Sequence, residues 1–300
     1  MDFIKLWIIR FMLRMRRFIN EIKHPGIDAQ REEFENVSRT FKLQADVERE
    51  SAEISGLCGE WIKIHGESTQ YHILYLHGGG YTLGSIHTHR ELVSRIARAC
   101  HAKILLVDYR LAPENPFPAA VEDAVASYQY MLDKGIPSNN IVIMGDSAGG
   151  GLTLSTLLFL KNRQLPMPAA AVCLSPWVDL AGTGESMKSR SHLDPMINEK
   201  MIGIMARHYM GKEDLKNPLA SSIYADLTGL PPLLIQVGTN EVLFDDAIRL
   251  AERAKECHVK AELDIWQDMT HVWHFFSFLL PQANAAINKI AAFIDKHINS

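Results

Sequence analysis

Gly145-Asp146-Ser147-Ala148-Gly149-Gly150 lies between the apolar run 141–144 and a stretch that reads as a helix over 152–162. A strand, a glycine-flanked serine and then a helix is the setting in which G-x-S-x-G has a physical meaning. The glycines permit a turn too tight for side chains and let the helix pack close to the strand. The turn lifts Ser147 to its tip, with the positive end of the helix dipole behind it. Ser147 is therefore the candidate nucleophile, and its partners should come from neighbouring strand ends.

Apolar strands at 59–64, 71–76, 103–107, 169–174, 232–237 and 260–266 join the one at 141–144. Helical patterns at 89–100, 119–132, 199–210, 245–257 and 282–298 fall between or after them. Strands that alternate with helices predict an α/β fold, a mostly parallel sheet with helices on both faces. The stretch 181–225 breaks this rhythm and reads as an insertion over the strand ends, with residues 28–50 as a second helix or a connector.

The first twenty residues carry Ile4, Trp7, Ile8, Phe11, Met12, Met15, Phe18 and Ile19 on one helical stripe, with Lys5, Arg10, Arg14, Arg16 and Arg17 off it. The charges rule out a clean membrane span, and no small-residue cleavage site follows, so this is a poor signal peptide. Two readings stay open. The helix packs over the site as part of a lid, or it rests on an anionic membrane surface with its basic face outward.

The 300 residues carry a net charge of −4 with ordinary globular composition, which argues against a nucleic-acid partner. Cys58, Cys100, Cys173 and Cys257 form no C-x-x-C pair, which makes a clustered zinc site unexpected. They read as buried free thiols, in keeping with a cytoplasmic location. A homodimer is left open.

In such a sheet the chemistry gathers at the carboxyl ends of the strands. His77-Gly78-Gly79-Gly80 follows one of them and leaves backbone N–H groups unshielded. Gly78, Gly79 and Ala148 are the expected oxyanion donors, with His77 orienting the loop. Among 13 histidines, His271 is the expected base because it lies in the loop after the last strand and follows the serine in chain order; His274 is its rival. His87 and His89 are read as surface or helix-start residues, with the pocket mouth as the alternative. The carboxylate that holds the imidazole should lie between them in sequence. Glu241 is in a loop after a strand, whereas Asp245 and Asp246 suit the first turn of the next helix.

As a set, His77-Gly78-Gly79-Gly80, Asp108-Tyr109-Arg110-Leu111-Ala112-Pro113-Glu114, Phe117-Pro118-Ala119-Ala120 and Gly145-Asp146-Ser147-Ala148-Gly149-Gly150 resemble the hormone-sensitive-lipase-like (bacterial family IV) esterases. The resemblance spans about residue 59 to the C-terminus. It implies an α/β-hydrolase fold over 51–300, with a helical cap made of residues 1–50 and the 181–225 insertion. It also implies hydrolysis of short- to medium-chain acyl esters by a serine carboxylesterase, with no metal or organic cofactor. Arg110, Glu114 and Asp123 resemble a buried ion network in that family. One feature departs from the pattern. The family's acid is commonly Asp-Pro-Leu, and here Glu241-Val242-Leu243 stands in its place. An amide or sugar deacetylase with the same residues, and a non-catalytic small-molecule-binding protein on this fold, are the alternatives.

Overall fold

The computed structural model describes residues 2–69 and 71–298. The chain opens with helices α1 (Asp2–Lys23) and α2 (Ile27–Ser38), then strands β1 (Val47–Ile54), β2 (Leu57–Ile64) and β3 (Tyr71–Leu76). Next come α3 (Ile86–Cys100), β4 (Ala102–Val107), α4 (Ala119–Asp133), β5 (Ile141–Asp146), α5 (Ala148–Asn162) and β6 (Ala170–Leu174). The remainder is α6 (Ser186–Ser189), α7 (Glu199–Met210), β7 (Leu233–Gly238), α8 (Phe244–Glu256), β8 (Ala261–Trp266) and α9 (Pro281–Ile298).

The strands form one sheet in the order β1-β2-β4-β3-β5-β6-β7-β8. Only the β1–β2 and β2–β4 pairs are antiparallel. The period-two geometry of a strand sends neighbouring residues to opposite faces. Ile73, Ile104, Val142 and Val172 therefore pack with Leu92 and Ile96 of α3 and Ile287 and Ile290 of α9. Their neighbours Leu74, Leu105, Ile143 and Cys173 pack with α4, α5 and α8 on the other side. Strands covered on both faces have no wet side to mark with polar residues, so they read as unbroken apolar runs.

Three expectations from sequence need correcting. The first concerns β1, which occupies part of the stretch read as a connector. It is an edge strand with Glu48, Arg49, Glu50 and Glu53 on it, and most of it is wet. Charge on an edge blocks pairing with other chains, and it also erases the apolar alternation by which a strand is recognised. The second concerns α5, which starts at Ala148 and not at Leu152. Its first turn is made of glycines because nothing larger fits there: a Cβ on Gly149 would lie 1.9 Å from the Leu76 carbonyl oxygen, and one on Gly151 would lie 2.2 Å from that of Trp177. The third concerns Cys58, which is exposed, while the other three thiols are buried and free.

The N-terminal helix lies over the cavity, but its apolar stripe is not the side that packs. All eight residues of its predicted apolar stripe are exposed. The inward face carries Leu6 and Ile9 against Met269, Trp273 and Leu280. It also carries the arginines: Arg16 Nε donates to Glu33 at 2.7 Å, and Arg17 Nη1 donates to the Asp194 carbonyl at 2.5 Å. Periodicity locates a stripe but not the side of the helix that the body of the protein takes. Here carboxylates and carbonyls recruited the basic side.

The expected network of Arg110, Glu114 and Asp123 splits in two. Arg110 grips both oxygens of Asp123 at 2.7–3.0 Å. Glu114 instead accepts two bonds of 2.8 Å from Arg31 of α2, and its side chain is 52% exposed. The same arginine donates to the Thr82 and Ala112 carbonyls at 2.9 Å, so it fastens α2 to the loops after β3 and β4.

Candidate active site

Ser147 sits between β5 and α5 with φ 54° and ψ −119°. Such a conformation costs about 1–3 kcal/mol, which the surrounding packing has to offset. The Ser147 amide donates to the Leu174 carbonyl at 2.8 Å, and its own carbonyl accepts from Trp177 N–H at 2.9 Å. Gly145 and Gly149 allow the turn to close, since a Cβ on either would fall within 2.5 Å of backbone atoms.

The other two expected partners meet Ser147. His271 Nε2 is 2.9 Å from Ser147 Oγ, and His271 Nδ1 is 2.9 Å from Glu241 Oε2. The carboxylate accepts from Nδ1–H, which leaves Nε2 free to accept from the serine hydroxyl. Glu241 is fully buried, and its other oxygen accepts from Gly238 N–H at 2.6 Å and from Ser175 Oγ–H at 2.9 Å. Three donors converge on one buried carboxylate, as a buried charge requires. Burial works against the charged form of His271. The bond to Glu241 and the negative charges of Glu241, Asp194 and Asp146 outweigh it, so the pKa lies above the ordinary imidazole value.

The rivals are occupied elsewhere. His274 Nε2 pairs with Gln236 Oε1 at 2.9 Å, and burial pushes its pKa down to about 3. Asp245 accepts from Ser186 N–H in the first turn of α8. His77 is buried, with Nδ1 2.8 Å from the Gly78 carbonyl and its ring stacked on Tyr109. Burial lowers its pKa to about 3, which fits loop support and not proton transfer.

The glycine loop requires one correction. The Gly78 N–H points inward, 3.1 Å from Asp146 Oδ1 and 3.2 Å from His89 Nε2, so it is not available to a substrate. A Cβ there would lie 2.2 Å from Asp146 Oδ2. Gly79 and Gly80 are the residues of this loop that line the cavity with Ser147 and His271. Both have positive φ, 117° and 63°, a backbone open to glycine and strained for other residues. His89 departs from the surface reading: it is buried beneath this loop and lines the cavity, while His87 is exposed and does not.

Two residues escaped the sequence reading. Ser175, at the end of β6, donates to Glu241 and accepts from Val272 N–H at 3.1 Å, so it joins the acid to the histidine loop. Asp194, between α6 and α7, is fully buried. Its Oδ2 accepts from Val242 N–H at 3.1 Å, and its Oδ1 accepts from Met196 and Ile197 N–H at 2.8 and 3.1 Å. A proline after the acid would have no N–H; Val242 has one, and Asp194 satisfies it. Burial pushes the Asp194 pKa up to about 6, against the pull of His271 and the two backbone donors.

This brace gives a prediction. A base must be neutral to act, so with His271 as the base kcat/KM should fall as the pH drops through its raised pKa. Asp194→Asn removes one of the charges that raise it. The acid limb should then move to lower pH, and kcat should fall about tenfold to a hundredfold through loss of loop position. A pH–rate profile checks both, and an unmoved limb would show that Asp194 acts on packing alone.

The cavity above Ser147 measures about 810 Å³. Its walls come from α1, α2, residues 196–198 and α7, with Trp177, Met205 and Phe34 among the apolar lining. Among the described residues, no group of three or more His, Cys, Asp or Glu is arranged to hold a metal ion.

Comparison with known proteins gives the family and the fold. Residues 73–275 match the model of the family Abhydrolase_3, described by its alpha/beta hydrolase fold. An acetyl-hydrolase of Streptomyces hygroscopicus is 44% identical over 235 residues, 78% of each chain. An esterase of Acinetobacter venetianus is 34% identical over 268 residues, 89% of this chain and 88% of the other. The crystal structure of an esterase from the bacterial hormone-sensitive lipase family superposes with a TM-score of 0.93 at 44% identity, over 98% of both chains.

Proposed function

This chain belongs to the α/β hydrolases, in the branch of the bacterial hormone-sensitive-lipase-like esterases, and on that premise we propose that it hydrolyses short- to medium-chain acyl esters through a serine acyl-enzyme. The observation that carries the reading is His271 held between Ser147 and Glu241 at 2.9 Å on each side. A binding protein on this fold has no use for a base so placed. His271 takes the serine proton as Oγ attacks the ester carbonyl, and Glu241 stabilises the imidazolium. The N–H groups of Gly79, Gly80 and Ala148 receive the oxyanion, and loss of one such donor raises the barrier by about 2.7–4 kcal/mol. His271 then protonates the leaving alcohol. Water activated by the same nitrogen releases the acid and restores the serine.

Helices α1 and α2 and the 181–225 insertion act as the cap, because together they wall the cavity over Ser147. The cavity volume sits within the range of small-molecule pockets and suits a short or medium acyl chain. The relative named an acetyl-hydrolase points to the short end.

p-Nitrophenyl esters of increasing chain length test this directly. Acetate to hexanoate should turn over fastest, with a pre-steady-state burst of p-nitrophenol approaching one per chain where deacylation limits. Steady hydrolysis that is fastest for p-nitroacetanilide and negligible for every ester would replace the ester reading with an amide one.

A further inference from the structure

Helix α1 keeps its bulky apolar side chains on the outside. Nine of the thirteen exposed large apolar residues among the described ones lie on it, from Ile4 to Ile22, each 43–63% exposed. At 1.5 Å per residue they form a row about 27 Å long. Trp7 and Phe11 stack within it at 5.6 Å between ring centroids. Phe278 and Leu279 extend the patch, because Lys5 Nζ reaches the Leu279 carbonyl at 3.3 Å.

The charge around this row identifies what covers it. Residues 2–23 hold six basic and two acidic residues, in a chain whose net charge is −4. Among the described residues, Lys5 and Arg14 reach only backbone carbonyls, and no described carboxylate pairs with them. At 3.6 residues per turn, Lys5 and Lys23 fall beside one edge of the row and Arg14 beside the other. Bulky apolar residues flanked by cations are the pattern of a helix that lies in a bilayer interface, drawn by anionic headgroups. A second copy of the chain fits less well, since pairing two such helices sets their basic edges against each other. No described helix is long and apolar enough to cross a membrane.

We infer that α1 docks the protein on anionic membrane surfaces, with Trp7, Phe11 and Phe18 entering the headgroup region. The inward side of the same helix, at Leu13, Arg16, Arg17 and Asn20, walls the cavity over Ser147. Docking thus sets that wall at the lipid interface, where amphipathic esters reside. The delivery of such esters rests on the proposed esterase activity; the docking does not.

The test is co-sedimentation of the full chain with vesicles of phosphatidylcholine alone and of phosphatidylcholine mixed with phosphatidylglycerol. The anionic vesicles should retain at least about tenfold more protein, since each basic residue near such a surface adds about 1 kcal/mol. Added salt should weaken the retention, and Trp7 emission should shift to the blue on binding. Phe11→Asp/Phe18→Asp places charge in the row without touching the cavity wall. It should lose vesicle binding while keeping its Tm and its hydrolysis of p-nitrophenyl acetate. Equal binding by the double variant, no binding by the native chain, or a dimer in sedimentation equilibrium that the double variant splits would overturn the inference. Failure to cleave p-nitrophenyl acetate would instead strike the esterase reading and leave the vesicle result standing.

Discussion

Ser147→Ala is expected to lower kcat on p-nitrophenyl acetate by about 10⁶-fold, the scale on which a serine nucleophile and its base act as one unit. What survives should be weak catalysis by the oxyanion donors and by substrate binding alone. Alanine lacks only the hydroxyl, and among the described residues that hydroxyl bonds to His271 alone. The strained φ of 54° is imposed by the packing of Gly145 and Gly149 and would persist in the variant. Thermal unfolding should therefore move by a few degrees at most while activity disappears. A variant that loses activity and folding together would point to a structural role for the hydroxyl. A variant that retains a tenth of the native kcat would remove Ser147 from the chemistry.

Glu241→Gln is expected to cost about 10⁴-fold in kcat with KM nearly unchanged, the effect of losing the tautomer-setting carboxylate. The reason lies in the donor count. Gly238 N–H, Ser175 O–H and His271 Nδ1–H all point at the two oxygens of Glu241. An amide offers one oxygen and one NH₂ group, so at least one of these donors must face another donor. If Gln keeps its oxygen toward Gly238 and Ser175, its NH₂ group drives the proton from Nδ1 to Nε2. The imidazole then cannot accept from Ser147. Glu241→Asp keeps the charge but draws it back by one methylene, and should cost about 10²-fold through misplacement. Measuring kcat and KM for the two variants separates charge from reach. Equal and small losses in both would show that the acid is dispensable.

Much of this site was legible in the sequence because its parts sit where strands end. Ser147 and His271 stand out by the order of strand, turn and loop, and Glu241 stands out from Asp245 because one lies in a loop and the other opens a helix. Contacts between distant segments left less trace. Asp194 braces Val242 across 48 positions and Ser175 braces Glu241 across 66, and a lone aspartate or serine carries no spacing by which to recognise it. Gly78 misled for a related reason. A glycine run signals free N–H groups, but the inward turn of the first one depends on Asp146 and His89, which come from two other elements. The fold followed the same division. Core strands announced themselves by unbroken apolar runs, while β1 hid behind the charges of an edge. The apolar stripe of α1 was plain from its period, yet the choice of which side faces the body depended on Glu33 and the Asp194 carbonyl.

A nucleophilic Ser147 activated by His271 should react with a fluorophosphonate, and peptide mass spectrometry locates the adduct. One adduct per chain should appear on the peptide that contains Ser147, with loss of activity in step with labelling and no adduct in Ser147→Ala. An adduct on any other residue, or fully active protein that takes up no label, would contradict it.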